Sequence, residues 1–564
     1  MSLFADATEH KFIEDQILTH TRAIWDLKFR LNMLVPICRL PLETLAAIFL
    51  EILAEAEEEQ NRLHPYYSSK RAYSWIKVSH VCRRWRSVAL ECPRFWSHIV
   101  LTSPKCVKEL LSRSRGAMLS VMADVSTGDV RGKTDALTLL FENFSRIQQL
   151  RLIIPQSSLQ NIMELMTGPA PVLHTFIITQ AGPHTHHLPE TRYPAFLYHD
   201  ETRRLQHFEI RGHIATGWSL PMFPHSLRHL HLSRGDVVPP SPMSDVLKIL
   251  ETTPLLETLK LERVVSGVLE TGQVIDLPHL RSMRLVAGCK HSAFLLNHLS
   301  FPQDVTISLK SETYSRPGDV AVVASAIAAK ISGSDQLRTL SIGPQHSDDS
   351  LTIRVCDTLR SLESFEVSLG NGVGRLDLTF NLRLAEAADV IGTFCKHCPL
   401  VQVQNLSLLS TDLAMASQTL WVKAFGKLEN VSLLQVGGEL AQHLPLALGI
   451  REEDGNVIVF PKLQELQLNE VWIGAFDGDV SPFMDSFLDS LIQRCDHGVE
   501  VRRLVLTKCI NTDMTEVALM SEIVPSVTWD GIENFVEDAS LAEYEEEEDD
   551  DGDELGGGFF WPVP

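Results

Sequence analysis

The feature that most constrains this chain is a short apolar phrase, LxxLxL, that recurs from about residue 105 to Trp529. It reads IQQLRLII (147–154), PVLHTFII (171–178), RRLQHFEI (203–210), SLRHLHL (226–232), PLLETLKL (254–261), PHLRSMRL (278–285), DQLRTLSI (335–342), SLESFEV (361–367), GKLENVSL (426–433), PKLQELQL (461–468) and VEVRRLVL (499–506). Apolar and polar residues that alternate over a few positions specify a strand with one buried face, so Leu230 and Leu232 point inward and their neighbours outward. Most instances follow a helical pattern that ends near Pro or Cys-Pro. A strand and helix joined in this way bury their apolar positions only against the units before and after, which is the logic of a stacked solenoid. The step between phrases is irregular, roughly 22 to 40 residues. Longer stretches near 310–335, 370–400 and 470–500 are expected to hold insertions or a degenerate unit. A conventional α/β domain would show the same alternation, but about eleven units exceed what one compact sheet usually holds.

The stretch from Val35 to Trp96 is patterned differently. After Pro41, whose missing N–H suits a first helical turn, Leu45, Ile48, Phe49, Ile52 and Leu53 recur at helix spacing. Val78, Val81, Cys82, Trp85, Val88 and Ala89 form a second apolar stripe, with Arg83, Arg84 and Arg86 elsewhere around it. Pro93 stops that helix and Trp96 follows as an anchor. Taken alone, these stripes describe an ordinary helical hairpin with its own core.

The spaced positions Leu40, Pro41, Glu43, Leu45, Ile48 and Phe49, followed by Val78, Val81, Cys82, Trp85, Val88, Ala89, Pro93 and Trp96, resemble the F-box. That resemblance implies docking onto the Skp adaptor of a cullin-based ubiquitin ligase, with the Leu40-Pro41 pair on the adaptor side. The phrases behind it resemble the irregular leucine-rich repeats found after F-boxes, whose concave face would recruit a protein target. The interval between Phe49 and Val78 is long for the family. It carries Glu55, Glu57, Glu58 and Glu59 and then HPYYSSKRAY, and is read as an inserted acidic loop over about residues 54–72 or an extension of the helix.

Ahead of the box, Ile13, Ile17, Ile24, Leu27, Leu31 and Leu34 lie on a heptad-like stripe with His20 in an apolar position. The stripe predicts a helix that either dimerises or folds back on the box, and fungal F-box proteins of similar layout carry such a helix. The expected organisation is an α+β chain: an N-terminal helix (1–34), a helical F-box (35–104), an α/β leucine-rich-repeat-like solenoid (105–535) and a disordered acidic tail (536–564). The tail contains seven consecutive carboxylates, Glu545 to Asp551, whose mutual repulsion opposes compact structure, and it closes on FFWPVP.

Composition narrows the function. Hydrophobic residues make up 44% of the 564-residue chain and charged residues 22%, which permits a large core. The formal net charge of −22 argues against nucleic acid, whose binding draws on clustered Lys and Arg. Ten scattered cysteines and an N-terminus without a basic or apolar leader predict an intracellular protein of the cytoplasm or nucleus, and no stretch is apolar enough to predict a membrane span. The chain has no GxSxG, no phosphate-binding loop with its lysine and no HExxH, so no enzymatic activity and no cofactor are expected. Cys395 and Cys398 form one CxxC with no second pair nearby, and Cys398-Pro399 resembles a repeat-ending cysteine; His184, His186 and His187 read as a surface loop. The expected partners are therefore a Skp adaptor, a cullin through it, and an unknown protein substrate. The alternatives are an F-box scaffold outside the ligase, or a hydrolase or transferase behind a fortuitous helical N-terminus.

Overall fold

The computed structural model describes residues 2–62, 72–127, 130–182, 193–198, 203–212, 220–235, 240–267, 273–331, 337–345, 347–359, 374–383, 386–409, 421–449, 458–474 and 482–533. The phrase at 361–367, the three clustered histidines and the tail from 536 lie outside these residues. The chain divides into two compact units, Met1–Leu285 with His298–Pro302, and Val286–Asn297 with Gln303–Pro564.

The first unit opens on helices α1 (Ser2–Leu34), α2 (Leu42–Arg62) and α3 (Arg83–Glu91). Strands β1 (His98–Val100), β2 (Leu119–Asp124), β3 (Ile147–Pro155), β4 (Thr175–Ala181), β5 (His207–Gly212), β6 (His229–Arg234) and β7 (Thr258–Glu262) follow, each pairing in parallel with the next. β8 (Ser282–Ala287) ends the run. Strands laid side by side in chain order are what units stacked on their neighbours produce. The register aligns apolar residues in rungs: Phe176, Phe208, Leu230 and Leu259 in one, Ile178, Ile210, Leu232 and Leu261 in the next. All eight are buried, and an aromatic chain of Phe144, Phe196, Phe176, Phe208 and Phe223 runs through the core with ring centroids 5.0 to 5.9 Å apart.

In most of the phrases the strand starts about four positions in, so the first leucine belongs to the preceding turn. Leu227, Leu256, Leu280 and Leu463 are buried there, and each donates its backbone N–H to the carbonyl three residues earlier, at 3.1 to 3.3 Å. That leucine anchors the turn while the last two leucines of the phrase line the sheet.

The second unit departs from simple stacking. Its strands are β9 (Thr306–Tyr314), β10 (Thr339–Gln345), β11 (Ser347–Cys356), β12 (Leu376–Asn381), β13 (Asn405–Leu409), β14 (Leu433–Gly437), β15 (Glu465–Asn469), β16 (Arg503–Thr507) and β17 (Ser526–Trp529). β13 to β17 are parallel in chain order, with Leu406, Leu434, Leu466 and Leu504 on one rung. β11 instead runs antiparallel between β10 and β12, while β12 pairs in parallel with β9 and β10 with β13. Along it Leu351, Ile353 and Val355 alternate as buried residues, so one of its faces joins the core. The stretches expected to hold insertions contain helices Pro317–Ile331, Ala387–His397 and Pro482–Asp496.

Arg494, on the last of these helices, is fully buried. It donates to the carbonyls of Val459 at 3.0 Å and Phe460 at 2.7 Å. Phe460 has φ of 53°, a left-handed backbone that costs a phenylalanine energy, so the guanidinium fixes a strained turn. Burial pulls the Arg494 pKa down to about 10. Arg494→Leu is expected to strand two buried carbonyls and to destabilise the second unit by about 3 kcal/mol, read from urea unfolding. Arg494→Lys should recover only part of the loss, because an ammonium lacks the fork that reaches both oxygens.

Candidate functional site

The helices before β1 form one small aromatic core. Phe49 of α2 lies 5.2 Å from the Trp85 ring of α3 and 5.8 Å from Phe95. Phe95 meets Trp75 edge-on at 4.5 Å and Trp96 at 5.4 Å, a geometry that aromatic quadrupoles favour. Trp96 Nε1 donates to the Ala89 carbonyl at 2.6 Å, and Arg113 of the following helix covers its ring at 4.4 Å. Pro93 begins the 3-10 turn that turns Phe95 and Trp96 inward.

This packing sorts the residues singled out from the sequence. Leu45, Phe49, Val88, Ala89 and Trp96 are buried and serve the core. Leu40, Ile48, Val78, Cys82, Trp85 and Pro93 are half-buried, while Pro41, Glu43 and Val81 are exposed. The second stripe is not one helix. Ser74–His80 is a 3-10 helix pinned by buried Trp75 and Ser79, Cys82 has extended backbone with φ of −156°, and α3 begins only at Arg83. Pro41 stands just before α2, and its carbonyl accepts from the Leu45 N–H at 3.1 Å.

Arg84 Nη2 donates to the Leu40 carbonyl at 2.7 Å, which holds the start of α3 beside the start of α2. Apolar side chains are exposed at these two starts and on the segment leading in: Val81 at 60%, Leu42 and Val35 at 46% and Ile37 at 40%. Val35, Ile37 and Leu42 escaped the sequence pattern, because a stripe at helical spacing marks buried residues and not the apolar ones left outside.

Of the two readings of the acidic run, an inserted loop over about 54–72 or an extension of the helix, the structure has the second as far as Arg62, where α2 ends. Its apolar side is docked: Ala56 and Gln60 are buried, Gln60 Nε2 donates to the Ala72 carbonyl at 3.0 Å, and His98 of β1 contacts Glu57 at 2.8 Å and Gln60 at 2.8 Å. The helix extension therefore ties the box to the first strand.

A second polar cluster lies on the sheet of the first unit. The register sets His207, Glu209 and Arg211 of β5 beside His229, His231 and Ser233 of β6, then Thr258, Lys260 and Glu262 of β7. Glu209 is buried yet contacts His207 at 3.3 Å, His231 at 3.1 Å and the Arg211 guanidinium. Burial opposes its ionisation, but these donors outweigh burial and hold its carboxyl well below the usual range. Glu262, which accepts from Arg284 Nε at 3.2 Å and lies 3.6 Å from His231 Nε2, is brought down to about 2 by His231 and Arg284, and His231 is held above its ordinary value by the two carboxylates despite burial. A depressed carboxyl contributes its stability above its unfolded pKa of 4.5 and loses it as the pH falls further. A raised histidine contributes fully below 6.5 and loses it as the pH rises through its folded pKa. The cluster should therefore stabilise the first unit most between pH 4.5 and 6.5. Glu209→Gln is expected to lower stability there by about 1–3 kcal/mol and to flatten the acid side of a melting-temperature profile.

Cys395 and Cys398 are both buried, and burial pushes the Cys395 thiol up to about 12 and Cys398 higher still, so neither is poised as a thiolate. Among the described residues no group of three or more His, Cys, Asp or Glu is placed to hold a metal ion, and no helix is long and apolar enough to cross a membrane. Residues 37–102 match the family model described as F-box-like, a stretch that takes in α2, α3 and the aromatic core. No curated protein matches the chain.

Proposed function

We propose that this chain is a substrate-receptor subunit of a Skp, cullin and F-box ubiquitin ligase. The observation that carries the reading is the exposure of Val81, Leu42, Val35 and Ile37 at the joined starts of α2 and α3, inside or beside the stretch matched by the F-box-like model. These residues, with Leu40 and Pro41, dock the Skp adaptor and through it a cullin. The outward sheet faces, which resemble those of leucine-rich repeats, recruit a protein target. The chain uses no cofactor and catalyses no bond change itself. Its contribution is proximity, holding a target beside the ubiquitin-charged enzyme. All ten cysteines are free, in keeping with a reducing compartment, the cytoplasm or nucleus, and the net charge of −22 favours a protein target over nucleic acid.

The test is affinity purification of the tagged chain from cells, scored for adaptor, cullin and ubiquitin-dependent turnover of co-purified proteins. Adaptor with cullin and a target whose half-life lengthens when the chain is removed supports the receptor. Adaptor without cullin or turnover identifies a scaffold outside the ligase instead.

A further inference from the structure

We infer that α1 pairs with α1 of a second copy of this chain as an antiparallel coiled coil. The side chains of Ile13, Ile17, His20, Ile24, Leu27, Leu31 and Leu34 are spaced alternately four and three residues apart, which is the unbroken a and d seam of a heptad repeat. The six aliphatic members are 51% to 65% exposed. The helix does not use this seam to lie on its own box. Arg83 Nη1 donates to Asp26 at 3.0 Å and its guanidinium sits 5.9 Å over the Trp25 ring. Trp25 and Asp26 take positions b and c when Ile24 is a, so the box holds α1 by a flank and leaves the seam free.

Charge selects the occupant and its direction. In a parallel pair, positions g and e set Glu9 against Glu14 of the other copy, twice, and face each His20 with its twin, with no attractive pair in return. In an antiparallel pair the layers become Ile17 with Leu27, Ile24 with His20 and Leu31 with Ile13, so aliphatic groups cover every histidine. The e positions then bring Glu14 opposite Lys28 of the other copy, and the two-fold axis makes that pair twice. A second copy is thus complementary to this face in both shape period and charge. The overlap from His10 to Leu34 spans about 36 Å at helical rise, so the two boxes leave opposite ends of the rod with their docking surfaces apart. The pairing does not depend on adaptor binding.

Light scattering on the full chain at tens of micromolar, with and without substitutions, tests this. The expected result is a dimer that Ile24→Asp converts to monomer with the melting temperature unchanged. Glu14→Lys should weaken the dimer roughly tenfold, and Glu14→Lys with Lys28→Glu should restore it, because the pair is only inverted. A parallel pair would instead be strengthened by Glu14→Lys alone, which relieves its repulsion with Glu9. A monomer at this concentration, a dimer indifferent to Ile24→Asp, or one that Glu14→Lys leaves unchanged or strengthens overturns the proposal.

Discussion

Phe49→Ala is expected to unfold the N-terminal helices while leaving the sheets of both units intact. The ring is fully buried between Trp85 and Phe95, and those in turn join it to Trp75 and Trp96. Truncating a phenylalanine in such a place costs about 3–5 kcal/mol, the transfer term plus the cavity left behind. A core of so few side chains has little else to hold it, since small folded elements bury a small share of their surface. The measurement is hydrogen exchange by segment. Loss of protection over α2 and α3, with protection of β3 to β6 retained, is the expected outcome. Even loss across the chain would show that the box has no separate stability. Trp85→Ala should cost less than Phe49→Ala, because Trp85 is only half-buried.

The second large effect is on docking and not on folding. Leu42→Asp together with Val81→Asp places two charges where the structure exposes two aliphatic side chains. The melting temperature should stay within a degree or two, because neither residue belongs to the core. Binding of a Skp adaptor should fall by about a thousandfold, taking about 2 kcal/mol for each buried anchor lost. Calorimetric titration of adaptor into the variant reads this. Undiminished affinity would move the docking surface elsewhere on the box.

Much of this architecture was legible in the sequence because its apolar periods are strong. The rungs of Leu230 and Leu232, of Leu466 and Leu468 and of Leu504 and Leu506 lie where alternation puts them, all buried. β9, β12 and β13 escaped notice for a physical reason. In DVTISLK and VQVQNLSLL the anchor position is taken by valine, buried Val305 and Val403, so the leucine that marks most of the other turns is absent from the phrase. The antiparallel β11 has no repeat phrase at all, only alternation. In the box, the buried members Leu45, Phe49, Val88 and Ala89 were visible as stripes and Trp96 as the anchor after Pro93, whereas Phe95 and Trp75 were not. They sit in 3-10 turns, where helical spacing carries no signal. For the acidic run, charge alone left a loop and a helix extension open, and it is the burial of Ala56 and Gln60, with Gln60 bonded to Ala72 and His98, that accompanies the helix.

The proposed function puts the contact with a Skp adaptor at the joined starts of α2 and α3. Hydrogen exchange of the full chain, with and without saturating purified adaptor, tests it most directly. Slowed exchange over Val35 to Leu42 and over Val78 to Arg84, with the strands unchanged, is the expected result. Protection confined to the strands, or no change anywhere at saturating adaptor, would contradict it.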